Sequence, residues 1–164
     1  MAINYNNPGN IEKRVTTIWQ GAIYPGDSDR FVTFESLPYG FRALFKVLKT
    51  KISTGTNTIE KIINSYAPPG DNNPTQEYIK YVSNITGIPA QKVITLDMMQ
   101  DIFKIGHAMS RFETGVLPPS NEIIEGFNMA FNGSGGQIDA KTGNTLIGLL
   151  VIASIFLLIK DGLK

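Results

Sequence analysis

The chain contains no cysteine, which removes disulfide bonds, thiolate metal ligands and a cysteine nucleophile together. It contains one histidine, His107. A zinc site draws on several His or Cys ligands, so no metal is expected here. A Ser-His-Asp triad would depend wholly on His107, which lies in a helical segment beside Gly106 and Ala108 and reads as a packed or surface histidine. Basic stripes are missing too: residues 1 to 131 carry 12 Lys/Arg and 12 Asp/Glu. That balance gives no footprint for a phosphate backbone, and nucleic acid is not an expected partner. The glycines from Gly133 to Gly136 are followed by no Gly-Lys-Ser/Thr, so they form no phosphate loop and call for no nucleotide cofactor. The opening MAINYNNPGN lacks a basic n-region and an apolar h-region. The expectation is a chain made in a cytosol and inserted tail-last.

One more absence is informative in itself. From Thr142 to Ile159 there is no charged side chain, and Leu146 to Ile159 (LIGLLVIASIFLLI) is almost unbroken hydrocarbon. At the rise of an α-helix, 18 residues make about 27 Å, close to the thickness of a bilayer's hydrocarbon core. The run is apolar all round, without the polar face of a domain-surface helix, and is fenced by Lys141 and by Lys160 and Lys164. A buried C-terminal core helix is the competing reading, but a membrane anchor over residues 145 to 160, with a short polar tail at 161 to 164, is the expectation.

The periodicity upstream is helical. The first forty residues are rich in turn formers, Asn6-Asn7-Pro8-Gly9-Asn10 and Tyr24-Pro25-Gly26-Asp27 among them, and read as short strands or extended loops that include Phe31 to Phe34. From Pro38 the stripe Phe41, Leu44, Phe45, Leu48, Ile52 predicts a helix. Ile59, Ile62, Ile63 and Tyr66 predict a second, stopped by Ala67-Pro68-Pro69-Gly70. Asn73 as N-cap with Pro74 at the first helical position predicts a third, carrying Tyr78, Val82 and Ile85 and ended by Gly87. A fourth is expected from near Thr95 to Thr114-Gly115, and a fifth, capped by Ser120, with Ile123, Ile124, Phe127, Ala130 and Phe131 on one face. Residues 132 to 144 (NGSGGQIDAKTGN) are small and polar and read as a flexible tether. The fold class is therefore mainly α (α+β): one helical domain over 1 to 131 with a minor strand element, a tether, and one C-terminal transmembrane helix.

With Cys, metal and triad chemistry set aside, carboxylates remain, and glycoside cleavage is the common reaction that they run without a cofactor. Glu35 lies at the seam between Phe31-Phe34 and the first helix, where apolar neighbours would raise its pKa and the helix N-terminus would lower it. Its other reading is a favourable acidic residue of the first turn. Glu113 ends the fourth helix, where the negative end of the helix dipole raises a carboxyl pKa. Its other reading is an exposed glutamate paired with a basic neighbour such as Arg111. Asn6, Asn7 and Asn10, with Trp19 and Tyr66, suit sugar binding through amides and aromatic faces, or the asparagines only shape a turn.

Taken in order, Asn6-Asn-Pro-Gly-Asn-Ile11, Trp19-Gln-Gly21, Phe34-Glu-Ser36, Tyr39-Gly-Phe-Arg-Ala-Leu44, Thr58-Ile59, Ile62-Ile-Asn64, Tyr66-Ala-Pro-Pro69, Asn72, Thr75 and Tyr78-Ile79 resemble a family of bacteriophage virion proteins with a lysozyme-like fold. The resemblance covers residues 6 to 87 and extends more weakly to Glu113-Thr-Gly115. It implies a lytic murein transglycosylase: a glutamate followed by serine, here Glu35-Ser36, protonates the glycosidic oxygen, with Glu113 as the second candidate. It also implies that Ser36, Asn7, Asn10, Tyr39, Tyr66 and Tyr78 bind the glycan. Together with the anchor, it suggests a protein of an internal virion membrane that contacts peptidoglycan, lipid and capsid or vertex proteins. A host inner-membrane enzyme would show the same parts. A non-enzymatic protein linking membrane to capsid is the alternative from a different class.

Overall fold

The computed structural model describes residues 3–132 and 137–162. Among them are six α-helices and two short strands: β1 (Ala22–Ile23), β2 (Thr33–Phe34), α1 (Leu37–Ser53), α2 (Ile59–Tyr66), α3 (Thr75–Thr86), α4 (Met99–Thr114), α5 (Ser120–Phe131) and α6 (Ala140–Gly162). The mainly helical class with a minor strand element is what the periodicity predicted, and α6 is long and apolar enough to cross a membrane.

The stripes read from the sequence are the buried faces. Phe41, Leu44, Phe45, Leu48 and Ile52 of α1 are inside, as are Ile59, Ile62 and Ile63 of α2, and Ile123, Phe127, Ala130 and Phe131 of α5. α1 lies along α5, while α4 packs against both α1 and α3. Their shared centre is aromatic. Phe45 meets Phe127 edge-on at 4.9 Å between ring centroids and stacks parallel to Phe103 at 6.1 Å, and Phe127 stacks on Phe131 at 4.7 Å. Offset and edge-to-face pairs of this kind add to the stabilisation from burial alone.

Two expected N-caps are different residues. Pro74 caps α3 and Pro119 caps α5, neither with a side-chain bond. Each proline's carbonyl accepts the first helical bond, from Tyr78 at 2.9 Å and from Ile123 at 3.1 Å. The Asn73 amide instead turns back and donates to the Pro68 carbonyl at 3.0 Å. The fourth helix also starts at Met99, later than Thr95. Its end is as expected, with Gly115 in the left-handed region at φ 66°.

β1 and β2 pair antiparallel, Ala22 opposite Phe34 and Ile23 opposite Thr33. The N-terminal segment is laid over this hairpin and onto α1. Asn7 is buried and spends its whole amide on the chain: Nδ2 donates to the Ile11 and Val32 carbonyls at 2.9 Å each, and Oδ1 accepts the Ile11 N–H at 2.9 Å. Gly40 makes the approach to α1 possible, since a Cβ there would sit 1.9 Å from the Asn6 carbonyl oxygen.

The stretch expected as a tether is in part ordered. Residues 133–136 lie outside the described residues. Ile138 is buried, and Asn128 of α5 brackets it: Nδ2 donates to the Ile138 carbonyl at 2.9 Å, and Oδ1 accepts the Ile138 N–H at 2.8 Å. Asp139 then accepts from the Thr142 N–H at 2.9 Å and the Thr142 hydroxyl at 2.8 Å, a cap that starts α6 at Ala140, ahead of Thr145.

Candidate functional site

The two candidate glutamates have different surroundings. Glu35 follows β2 directly and precedes Ser36, the residue that caps α1, so it stands outside the first helical turn. Its side chain is exposed. Its N–H donates to the Gly21 carbonyl at 2.8 Å, and the half-buried Tyr39 lays its ring against Gly21, where a Cβ would come within 2.2 Å of the ring. Ser36 makes no side-chain cap bond. Glu35, Ser36 and Tyr39 thus lie close together in sequence at the N-terminus of α1, with the Glu35 side chain exposed.

Glu113 is held from two sides. It sits in the last turn of α4, and its carboxylate accepts the Asn10 amide at 3.0 Å, while the same amide reaches the Glu113 carbonyl at 3.2 Å. The Tyr78 hydroxyl donates to the Met109 carbonyl at 3.4 Å and lies close enough to the carboxylate to favour its charged form. Tyr78 is placed there by α3 and by stacking on Phe112 at 3.9 Å between centroids. Tyr66, at the end of α2, donates its hydroxyl to the Gly9 carbonyl. Four residues singled out from the sequence, Asn10, Tyr66, Tyr78 and Glu113, therefore meet although they come from four separate segments. Asn7 is near them in sequence but is buried in the turn it shapes.

The electrostatics follow from this packing. Burial raises the Glu113 pKa above the ordinary carboxylate value, and the bonds from Asn10 and Tyr78 offset part of the rise. The raised pKa anticipated for Glu113 is present, with desolvation as its main cause. The Tyr66 and Tyr78 hydroxyls are pushed well up by burial and then by the Glu113 carboxylate, so both remain proton donors. Arg111 has another partner: Nη1 donates to the Ser154 hydroxyl of α6 at 2.6 Å.

That last bond is one of several buried polar features of α4 and α6 that sequence reasoning missed. His107 is fully buried on α4 with neither ring nitrogen bonded, the buried Ser110 hydroxyl is unbonded too, and Ser154 is buried on α6. Burial and the nearby Arg111 lower the His107 pKa to about 4. The available signal was spacing: His107, Ser110 and Arg111 fall at i, i+3 and i+4, one face of a helix.

Among the described residues the fold is that of a mostly helical protein with one C-terminal helix long and apolar enough to cross a membrane. No family model matches the chain. Over 132 residues, 78% of this chain and 80% of the other, it is 32% identical to protein P5 of Pseudoalteromonas phage PM2. The chain belongs to the family of that bacteriophage protein.

Proposed function

We propose that the chain is a virion-associated, membrane-anchored lytic transglycosylase that cleaves the MurNAc to GlcNAc bond of peptidoglycan during host entry, with Glu113 as its acid/base. The observation that carries this reading is the Glu113 carboxyl, raised in pKa by burial and held by the Asn10 amide. A general acid needs such a pKa and such positioning. The neutral carboxyl gives its proton to the glycosidic oxygen as the C1–O bond breaks. The carboxylate so formed takes the proton of the sugar's own 6-hydroxyl as that oxygen bonds to C1. The ring closes as a 1,6-anhydro sugar, the acid is regenerated, and no water is consumed. The exposed Asn10 supplies an amide at the rim for the sugar's polar groups. The bacteriophage relative and the span-length α6 support the setting, a virion membrane facing murein.

The test is dye release from purified murein by the full chain in detergent, beside Glu113→Gln and Glu35→Gln, with products examined for anhydro ends. The expected result is a loss of about 100-fold or more in Glu113→Gln, the usual scale for a removed acid/base, with Glu35→Gln close to wild type. The opposite pattern moves the acid to Glu35, and unchanged cleavage in both removes the assignment.

A second reading has its own observation. The bonds from Asn10 to Glu113 and from Tyr66 to Gly9 also pin the N-terminal segment to the helices. Under that reading the domain is a non-enzymatic module linking membrane to capsid. Wild-type protein then releases no dye, Glu113→Gln lowers only stability, and a capsid or vertex protein co-purifies.

A further inference from the structure

α6 is apolar on two opposite faces that have different surroundings. One face, with Gly143, Leu146, Ile147, Leu150 and Ser154, is buried against the domain, on contacts with α3, α4 and α5. The fit is close: a Cβ on Gly143 would lie 2.5 Å from Ile124 Cδ1. It is also polar at one point, where Arg111 donates to Ser154, whose own hydroxyl donates to the Leu150 carbonyl at 2.8 Å. The other face, with Leu149, Ile152, Ile155, Phe156, Leu158 and Ile159, is exposed.

These surroundings conflict with a bilayer span. A spanning helix meets hydrocarbon on every side that no other spanning element covers. If α6 crossed a membrane while docked, α3, α4 and α5 would be carried in with it, and with them the charged side chains of Lys80, Arg111 and Glu125. Charged groups at that depth are strongly disfavoured. Docking and spanning are therefore alternatives.

We propose that α6 has two exclusive partners, the groove of its own domain formed by α3, α4 and α5, and a lipid bilayer, and that membrane insertion exchanges the first for the second. Bare helix exposed to water would be the least favourable state, and the groove stores the helix in its absence from lipid. The apolar area that α6 gives up in the groove is regained in hydrocarbon, against the cost of uncovering Ile124 and Ile138. The inference rests on the packing of α6 and is independent of murein chemistry.

The absence of native cysteine makes the test clean. In the full chain, Arg111→Cys and Ser154→Cys are combined and bridged with a short bis-maleimide, then mixed with phosphatidylcholine/phosphatidylglycerol vesicles beside the unbridged double variant. The expected result is efficient bridging of the free protein, alkali-resistant vesicle binding of the unbridged form, and loss of that binding in the bridged form with helix content unchanged. A second variant, Gly143→Leu, crowds Ile124 and should raise the alkali-resistant fraction. The proposal is overturned if bridged and unbridged proteins insert equally, if the free protein does not bridge, or if neither form inserts and α6 is simply a core helix.

Discussion

His107 shows how a single side chain couples this fold to pH. Its folded pKa of about 4 lies below the ordinary histidine value of 6.5, so the unfolded chain takes up the proton more readily. Stability is then full above about pH 6.5 and is lost as pH falls toward 4, by an amount on the order of 3 kcal/mol. Glu113 acts in the opposite direction, because its folded pKa is raised: the stability it lends to the protonated form is lost as pH rises through that value. His107→Leu separates the two. It removes two unbonded buried nitrogens, so the urea midpoint should rise at pH 7.5 and rise further at pH 4.5. An equal rise at both would mean that His107 does not titrate with folding.

The same scale shows why the candidate site was only partly legible. Asn10, Tyr66, Tyr78 and Glu113 could each be picked by residue type, and their meeting could not, since it depends on how four segments are folded against one another. Glu35 is the reverse case. The Glu35-Ser36 pair is conspicuous in sequence, yet its carboxylate is exposed and the polar partner of its N–H is the main chain at Gly21.

At the scale of elements, burial was readable because one apolar face every 3.6 residues is a property of the chain itself. The helix starts were less so. Asn73 and Ser120 have capping side chains, but the prolines beside them take the cap position, and Asn73 is recruited by the Pro68 carbonyl. The tether was misjudged from composition in its described part, since Ile138 is a lone apolar residue whose docking depends on Asn128, ten residues away. The contact between the N-terminal segment and α1 is similarly hidden in one glycine. Gly40→Ala should cost about 1–3 kcal/mol by overpacking, because the new methyl group meets the Asn6 carbonyl oxygen. Denaturant unfolding measures it, and a neutral result would show that the segment is not held against α1.

At the scale of the molecule, two features stand together: the domain that carries Glu113 and a helix that its groove and a bilayer both suit. Truncating the chain before α6 would leave Ile124 and Ile138 uncovered, which is why activity belongs to tests on the full chain.

The bond between Asn10 and Glu113 joins residues 103 apart in the sequence, and this has a consequence in time. The helices form from contacts between near neighbours, whereas the N-terminal segment must wait for α4 before it has anywhere to dock, and closing so long a loop is slow. The contact between the N-terminal segment and the end of α4 should therefore be the last part of the protein to form. Trp19, the lone tryptophan, lies half-buried in that segment and can time the event: on refolding, its fluorescence should lag behind the recovery of helical circular dichroism, and Asn10→Ala should lengthen the lag. Coincident traces would show that site and helices form in one step.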